Sequence, residues 1–317
     1  MVYRKINQRK TVTREGSESQ IVLVALIVIF VVTGLFIVYY LVAGMIDDAD
    51  NIIENNIITN EESAYVPPEK TEVEPKKIDF QTMIDNWVKN IDGDKGVLIY
   101  DLDRDEMVAE YNSNQSFATA SLYKLFVVYE GYRKIEQGEW REDDAAGDTG
   151  RTILECLDLA VRESNSDCAE TLWRMIGYNK LEKIVADDFG ITNTSVEDLV
   201  STPNDIAEMM KRFYDHPDIN DKKLIAKIKD SFLNQPITEY NWRQGLPSGF
   251  SDAVNVYNKV GWAYNDEEKV WDIYNDAAII EFPEKDRHFI VVVMTNKVPY
   301  QQIRKLGTMI EEEFNKY

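Results

Sequence analysis

Residues 21–46 read IVLVALIVIFVVTGLFIVYYLVAGMI, an apolar run without a charged side chain. At ~1.5 Å rise per residue, a helix of that length crosses a ~30 Å hydrocarbon core, so the pattern predicts a transmembrane helix. A cleaved secretory leader has an apolar stretch of only ~7–15 residues, and the longer run here favours an uncleaved anchor. Arg4, Lys5, Arg9, Lys10 and Arg14 precede it, whereas Asp47, Asp48 and Asp50 follow. That asymmetry assigns residues 1–20 to a basic cytoplasmic tail and puts the rest of the chain on the outer side of the cell membrane, extracellular or periplasmic. Residues 47–78 are acidic, carry Pro67, Pro68 and Pro75 and keep no amphipathic period, which predicts a flexible stalk.

From residue 79 the periodicity becomes regular. Phe80, Met83, Ile84, Trp87 and Ile91 recur at helical spacing over 79–91. Strand patterns at 96–102 and 107–111 flank the turn-forming Asp103, Arg104 and Asp105. Helical periods then cover 121–136, 152–163, 167–176, 181–189, 203–214 and 224–233. Val, Ile, Tyr and Trp dominate 254–262, 270–281 and 289–295, which predicts three strands, and 300–314 closes as an amphipathic helix. Two early and three late strands imply one sheet built from both ends of residues 79–317, with a separate helical lobe. The fold class is α+β, and a cleft between lobe and sheet offers room for a substrate.

Composition narrows the partners. A net charge of −21 excludes nucleic acid, whose phosphates require clustered cations. His216 and His288 stand in unrelated contexts, so no metal site is expected. Cys156 and Cys168, twelve positions apart, would face an oxidising compartment; sequence alone leaves their pairing as a disulfide open.

Three short groups carry chemistry. In Ser121-Leu122-Tyr123-Lys124 the hydroxyl and the amine lie three residues apart, on one face of a helix. A serine becomes a nucleophile when a base takes its proton, and burial or neighbouring cations make a lysine that base. A helix start also aims backbone N–H groups at a developing oxyanion. Ser164-Asn165-Ser166 falls between two predicted helices, where Ser166 could serve as an N-cap. Lys259-Val260-Gly261-Trp262 lies on a strand, where glycine permits close backbone approach and lysine can neutralise charge.

This ordered set resembles the class A β-lactamase-like, penicillin-recognising serine hydrolases, which use S-x-x-K, S-D-N and K-T-G in the same order. Arg243-Gln244-Gly245-Leu246-Pro247, Ser201-Thr202-Pro203-Asn204-Asp205 and Asn275-Asp276-Ala277-Ala278 also match the family's pattern. The resemblance spans nearly all of residues 79–317. It implies a β-lactamase/transpeptidase-like fold, a five-stranded antiparallel sheet flanked by helices with a helical lobe. It further implies no cofactor and a small substrate, either a β-lactam or a peptidoglycan-like amide or ester. By motif, Ser121 would be the nucleophile, Lys124 its base, Ser164 a proton shuttle to the leaving group, and Lys259 a cation that tunes Ser164 or binds an anion. Gly261 and the N–H groups of Ser121 and Trp262 would shape the oxyanion hole, with Ser166 facing the substrate.

The chain departs from the pattern at three places. Ser166 stands where the family has Asn, and Val260 where it has Thr or Ser. The segment between Gly190 and Ser201 is short, and its Glu197 lacks the Asn partner of the family's deacylating E-x-x-x-N loop. The expectation is therefore an acyl-enzyme that forms and hydrolyses slowly. A peptidoglycan D,D-peptidase or esterase is an alternative, and a non-catalytic envelope-binding domain is the alternative of another class.

Overall fold

The computed structural model describes residues 78–265 and 270–317. The anchor expected at 21–46, its basic tail and the stalk up to residue 77 lie outside the described residues. Among the described residues no helix is long and apolar enough to cross a membrane.

Helix α1 (Phe80–Lys89) leads into β1 (Asp94–Asp101) and β2 (Glu106–Tyr111). Strands β5 (Asn255–Asn265), β6 (Val270–Phe282) and β7 (Arg287–Asn296) come from the other end of the domain, before the final helix α8 (Tyr300–Phe314). They form one antiparallel sheet in the order β2-β1-β7-β6-β5, so the first strand pairs with the last and β5 is an edge. Alternation sorts the side chains between two cores. Val97, Ile99, Val291 and Val293 meet Phe80, Ile84, Ile303 and Phe314 of α1 and α8 on one face. Leu98, Ile290, Val292 and Met294 point to the helical lobe on the other. Each such buried side chain contributes roughly 1.5–3 kcal/mol of apolar transfer.

The lobe comprises α2 (Lys124–Glu136), α3 (Ile153–Arg162), α4 (Ser166–Ile176), α5 (Tyr178–Lys183), α6 (Pro203–Asp215) and α7 (Lys222–Leu233). Helix α2 buries ten of its residues, from Lys124 through Gly131 together with Tyr132 and Lys134, as expected for the central helix of a lobe. A methyl at Gly131 would lie 2.5 Å from Leu157 Cδ2, so glycine lets α3 pack closely on α2. A reciprocal Thr152–Glu155 cap starts α3, and Cys156 of α3 is disulfide-bonded to Cys168 of α4, with Cα atoms 4.8 Å apart.

Three local expectations change. The helix expected at 121–136 begins as a 3-10 turn, Ala120–Tyr123, and becomes α-helical at Lys124. The helix expected at 181–189 is α5 followed by a π turn, Ile184–Asp188. A two-stranded ribbon, β3 (Phe117–Ala118) with β4 (Val200–Ser201), escaped the pattern because two residues carry no period.

Candidate active site

Ser121 sits in the 3-10 turn between β3 and α2, behind Ala120, whose φ of 43° is left-handed. A non-glycine residue held there stores backbone strain, a cost concentrated at functional sites. The turn is fixed from below. Asn275 Nδ2 donates to the carbonyls of Ala118 (2.8 Å) and Thr119 (3.2 Å), while its Oδ1 accepts from Thr295 N at 2.8 Å. Gly261 of β5 fits against the same turn, since an added Cβ would lie 2.2 Å from Thr119 O and 2.8 Å from Leu122 Cγ.

Lys124, 1% exposed, opens α2. The tighter winding of the 3-10 turn nearly superposes residues three apart, which keeps Ser121 and Lys124 on one side. Lys124 nevertheless makes no hydrogen bond to Ser121 among the described residues. Its Nζ donates to Ser164 O, to Ser166 Oγ at 3.0 Å and, more weakly, to Ser164 Oγ at 3.4 Å. The cause is the turn joining α3 to α4: Ser164 adopts φ 55°. Asn165, rather than Ser166, caps α4, accepting from Cys168 N at 2.9 Å. Ser166 is thereby released to meet Lys124.

Lys259 reaches the same serine from the sheet. Its Nζ donates to Ser164 Oγ at 2.9 Å and to Val260 O at 2.7 Å. Ser121, Lys124, Ser164, Ser166, Lys259 and Gly261 therefore converge where α2, the α3–α4 turn and edge strand β5 meet. Trp262, next along β5, has its ring in an aromatic stack, 5.7 Å from Tyr300 and 5.1 Å from Tyr274. Its side chain is packing, and its backbone is what remains for an oxyanion.

The electrostatics suit proton transfer. Burial draws the Lys124 amine down to about 8 against the opposing negative charge of Glu170. Burial, then the charge of Lys124, pulls Lys259 well below an ordinary lysine, with Asp276 opposing. Desolvation favours the uncharged amine in both. Asp276 is fully buried and pushed up by that burial to about 7. It accepts from Asn258 Nδ2 at 2.9 Å and Leu246 N at 2.8 Å, and feels the charges of Arg243 and Lys259. Ser164 thus stands between two amines that burial biases toward the uncharged form.

Sequence reasoning assigned no role to Asp276, Asn275, Glu170 or Trp242. The first two are polar residues inside the otherwise apolar stretch Ile273–Ile280 of β6, a signal that was there to read. Trp242 Nε1 donates to Glu163 O at 3.1 Å, tying the segment before β5 to the residue preceding Ser164. The matched Arg243 and Thr202 turn out to be structural. The Arg243 guanidinium binds Phe232 O, Val256 O and Asn258 Oδ1, and Thr202 caps α6. A separate cavity of about 350 Å³, lined by Phe213, Ile228, Phe232, Tyr257 and His288 among others, shares no residue with this cluster. Among the described residues no group of three His, Cys, Asp or Glu side chains is arranged to hold a metal.

A family model described as the β-lactamase enzyme family matches residues 79–314. No curated protein matches by sequence. Among solved structures, the fold is similar to a class A β-lactamase representative from Bacteroides cellulosilyticus, with TM-score 0.64 and 16% identity over 74% of this chain and 97% of that one. It is likewise similar to a β-lactamase from Chitinophaga pinensis, at TM-score 0.64 and 15% identity over 74% and 98%. The TLA-1 extended-spectrum β-lactamase gives TM-score 0.65 and 15% identity over 75% and 99%. At these identities the likeness establishes the fold, that of the class A β-lactamases, while the family match spans most of the chain: this protein belongs to the β-lactamase enzyme family.

Proposed function

We propose that this chain is a membrane-tethered acyl hydrolase that forms an acyl-Ser121 intermediate on a β-lactam or on a small amide or ester of the cell envelope. The observation that carries the reading is Ser164 Oγ, 2.9 Å from Lys259 Nζ and 3.4 Å from Lys124 Nζ, beside the turn that bears Ser121. The uncharged run at 21–46 supports the tether and a domain outside the membrane.

In this reading Ser121 Oγ attacks the acyl carbonyl and its proton passes to neutral Lys124, whose amine turns from Ser166 toward the nucleophile. The oxyanion is met by the N–H groups of Ser121 and Trp262. Ser164 then gives its proton to the leaving nitrogen or oxygen and is recharged from Lys124, while Lys259 holds the Ser164 hydroxyl in place. Hydrolysis is the slow half. Residues 190–201 contain Glu197, an exposed side chain whose backbone N–H donates outward to Glu182 Oε1 at 2.6 Å. That loop offers no buried base, which favours a peptidase, an esterase or a long-lived penicilloyl adduct over rapid β-lactam turnover.

The test is intact-mass spectrometry of the full-length chain after incubation with a fluorescent penicillin and, separately, with p-nitrophenyl acetate, beside Ser121→Ala. A mass increase located at Ser121 and lost in the variant supports the reading. No adduct and no turnover with either probe removes it and leaves the envelope-binding role.

A further inference from the structure

We propose that Glu170 is the carboxylate that activates the water hydrolysing acyl-Ser121, a role that rests on the acyl-serine reading above. Glu170 lies on α4, four residues after Ser166 and three before Trp173, and this spacing puts the three side chains on one helical stripe. Both ends of the stripe are anchored to the nucleophile's turn. Ser166 Oγ accepts from Lys124 Nζ at 3.0 Å, and the Trp173 ring packs 5.3 Å from that of Tyr123. Tyr123 and Lys124 are the residues that follow Ser121-Leu122, so the middle of the stripe borders the same turn.

The carboxylate there is exposed, and among the described residues it makes no hydrogen bond or ion pair. Arg174, the cation one turn further along α4, donates instead to Thr171 Oγ1 at 3.0 Å. The oxygens of Glu170 are therefore free to hold water. Its charge already acts on both Tyr123 and Lys124. The missing loop base is thus replaced from a different element, the helix that follows the second motif.

In the step proposed, the water oxygen attacks the carbonyl carbon of acyl-Ser121 as its proton passes to Glu170. Collapse of the tetrahedral intermediate breaks the bond from carbon to the Ser121 oxygen, which takes the proton that Glu170 accepted from water, relayed by the neutral Lys124 amine. The products are free Ser121 and a carboxylic acid, which loses its proton to solvent, and Glu170 and Lys124 end in the states in which they began. A solvent-exposed base without a second group to orient it is less preorganised than a buried one. Slow but Glu170-dependent hydrolysis is the consequence.

The experiment follows the acyl-enzyme of the full-length chain by intact mass at pH 9, where Lys124 is mostly neutral. The probes are p-nitrophenyl acetate and a fluorescent penicillin. In Glu170→Gln, Ser121 should still be acylated, kcat/KM should hold within about threefold, and the adduct should persist about a hundredfold longer, the contribution expected of a general base. Glu170→Asp should fall between the two, and both variants should melt with the parent because the side chain is exposed. An adduct that decays equally fast in the parent and in Glu170→Gln overturns this assignment and leaves acylation standing. Absence of any Ser121 adduct in the parent overturns the acyl-serine reading and this role with it.

Discussion

The ionisation of Lys124 fixes the pH dependence of acylation. Burial places its amine at about 8, and only the neutral amine can accept the Ser121 proton. Desolvation lowers a lysine, so the reactive form grows as pH rises. About 1% of the enzyme is competent at pH 6, about 10% at pH 7 and half at pH 8, since each unit of separation is a factor of ten. The acylation rate should therefore climb about fiftyfold between pH 6 and 8 and level off above pH 9. Removing the opposing negative charge in Glu170→Gln lowers the amine further and shifts the rise toward acid. The assay is rapid-quench labelling of Ser121 by p-nitrophenyl acetate, quantified by intact mass across pH 6 to 9, so that acylation is read apart from hydrolysis. A rate that is flat across that range, or that falls with rising pH, removes Lys124 as the base. An inflection away from 8 would transfer the role to the other buried amine, Lys259, acting through Ser164.

Other perturbations test the site and its frame. Ser166→Asn combined with Val260→Thr restores the family's side chains; an Asn carbonyl keeps the Lys124 contact and frees an amide for the substrate, so penicillin acylation should rise at least tenfold by the same mass assay. Gly261→Ala puts a methyl 2.2 Å from Thr119 O; displacing β5 from the Ser121 turn should cost about 1–3 kcal/mol of stability and about a hundredfold in labelling rate. Cys156→Ala with Cys168→Ala opens a bridge spanning 12 positions, which should lower stability by about 3 kcal/mol on the chain-entropy account, read as a melting temperature ~6–12 °C below the parent's.

Sheet and lobe were legible because burial writes a period into the chain. Val97, Leu98 and Ile99 each face a different core from their neighbours, and that alternation needs no tertiary knowledge. Short elements lack this record: β3 and β4 each have two residues, yet their pairing holds the strand that leads into Ser121. The motif residues were legible for a different reason, since their order along the chain is itself information. Their contacts were not, because a backbone detail decides them. The left-handed Ser164 and the Asn165 cap present the second motif's carbonyl and hydroxyl groups to Lys124, whose hydrogen bonds go there.

Asp276 and Glu170 mark the two ways in which a functional carboxylate can hide. Asp276 contradicts its surroundings, a charge among Ile273, Ala277, Ala278, Ile279 and Ile280, and such a conflict is affordable only where neighbouring donors and cations receive it. Asn258, Leu246, Arg243 and Lys259 do so, which makes the conflict readable as a site once the strand is recognised. Glu170 contradicts nothing, because an exposed glutamate on an amphipathic helix is what solubility alone requires. Only the packing of its stripe, with Ser166 against Lys124 and Trp173 against Tyr123, distinguishes it from every other surface acid. A general base borrowed from the surface in this way leaves no trace in residue pattern, so the loss of one motif does not by itself establish the loss of the step that the motif performs.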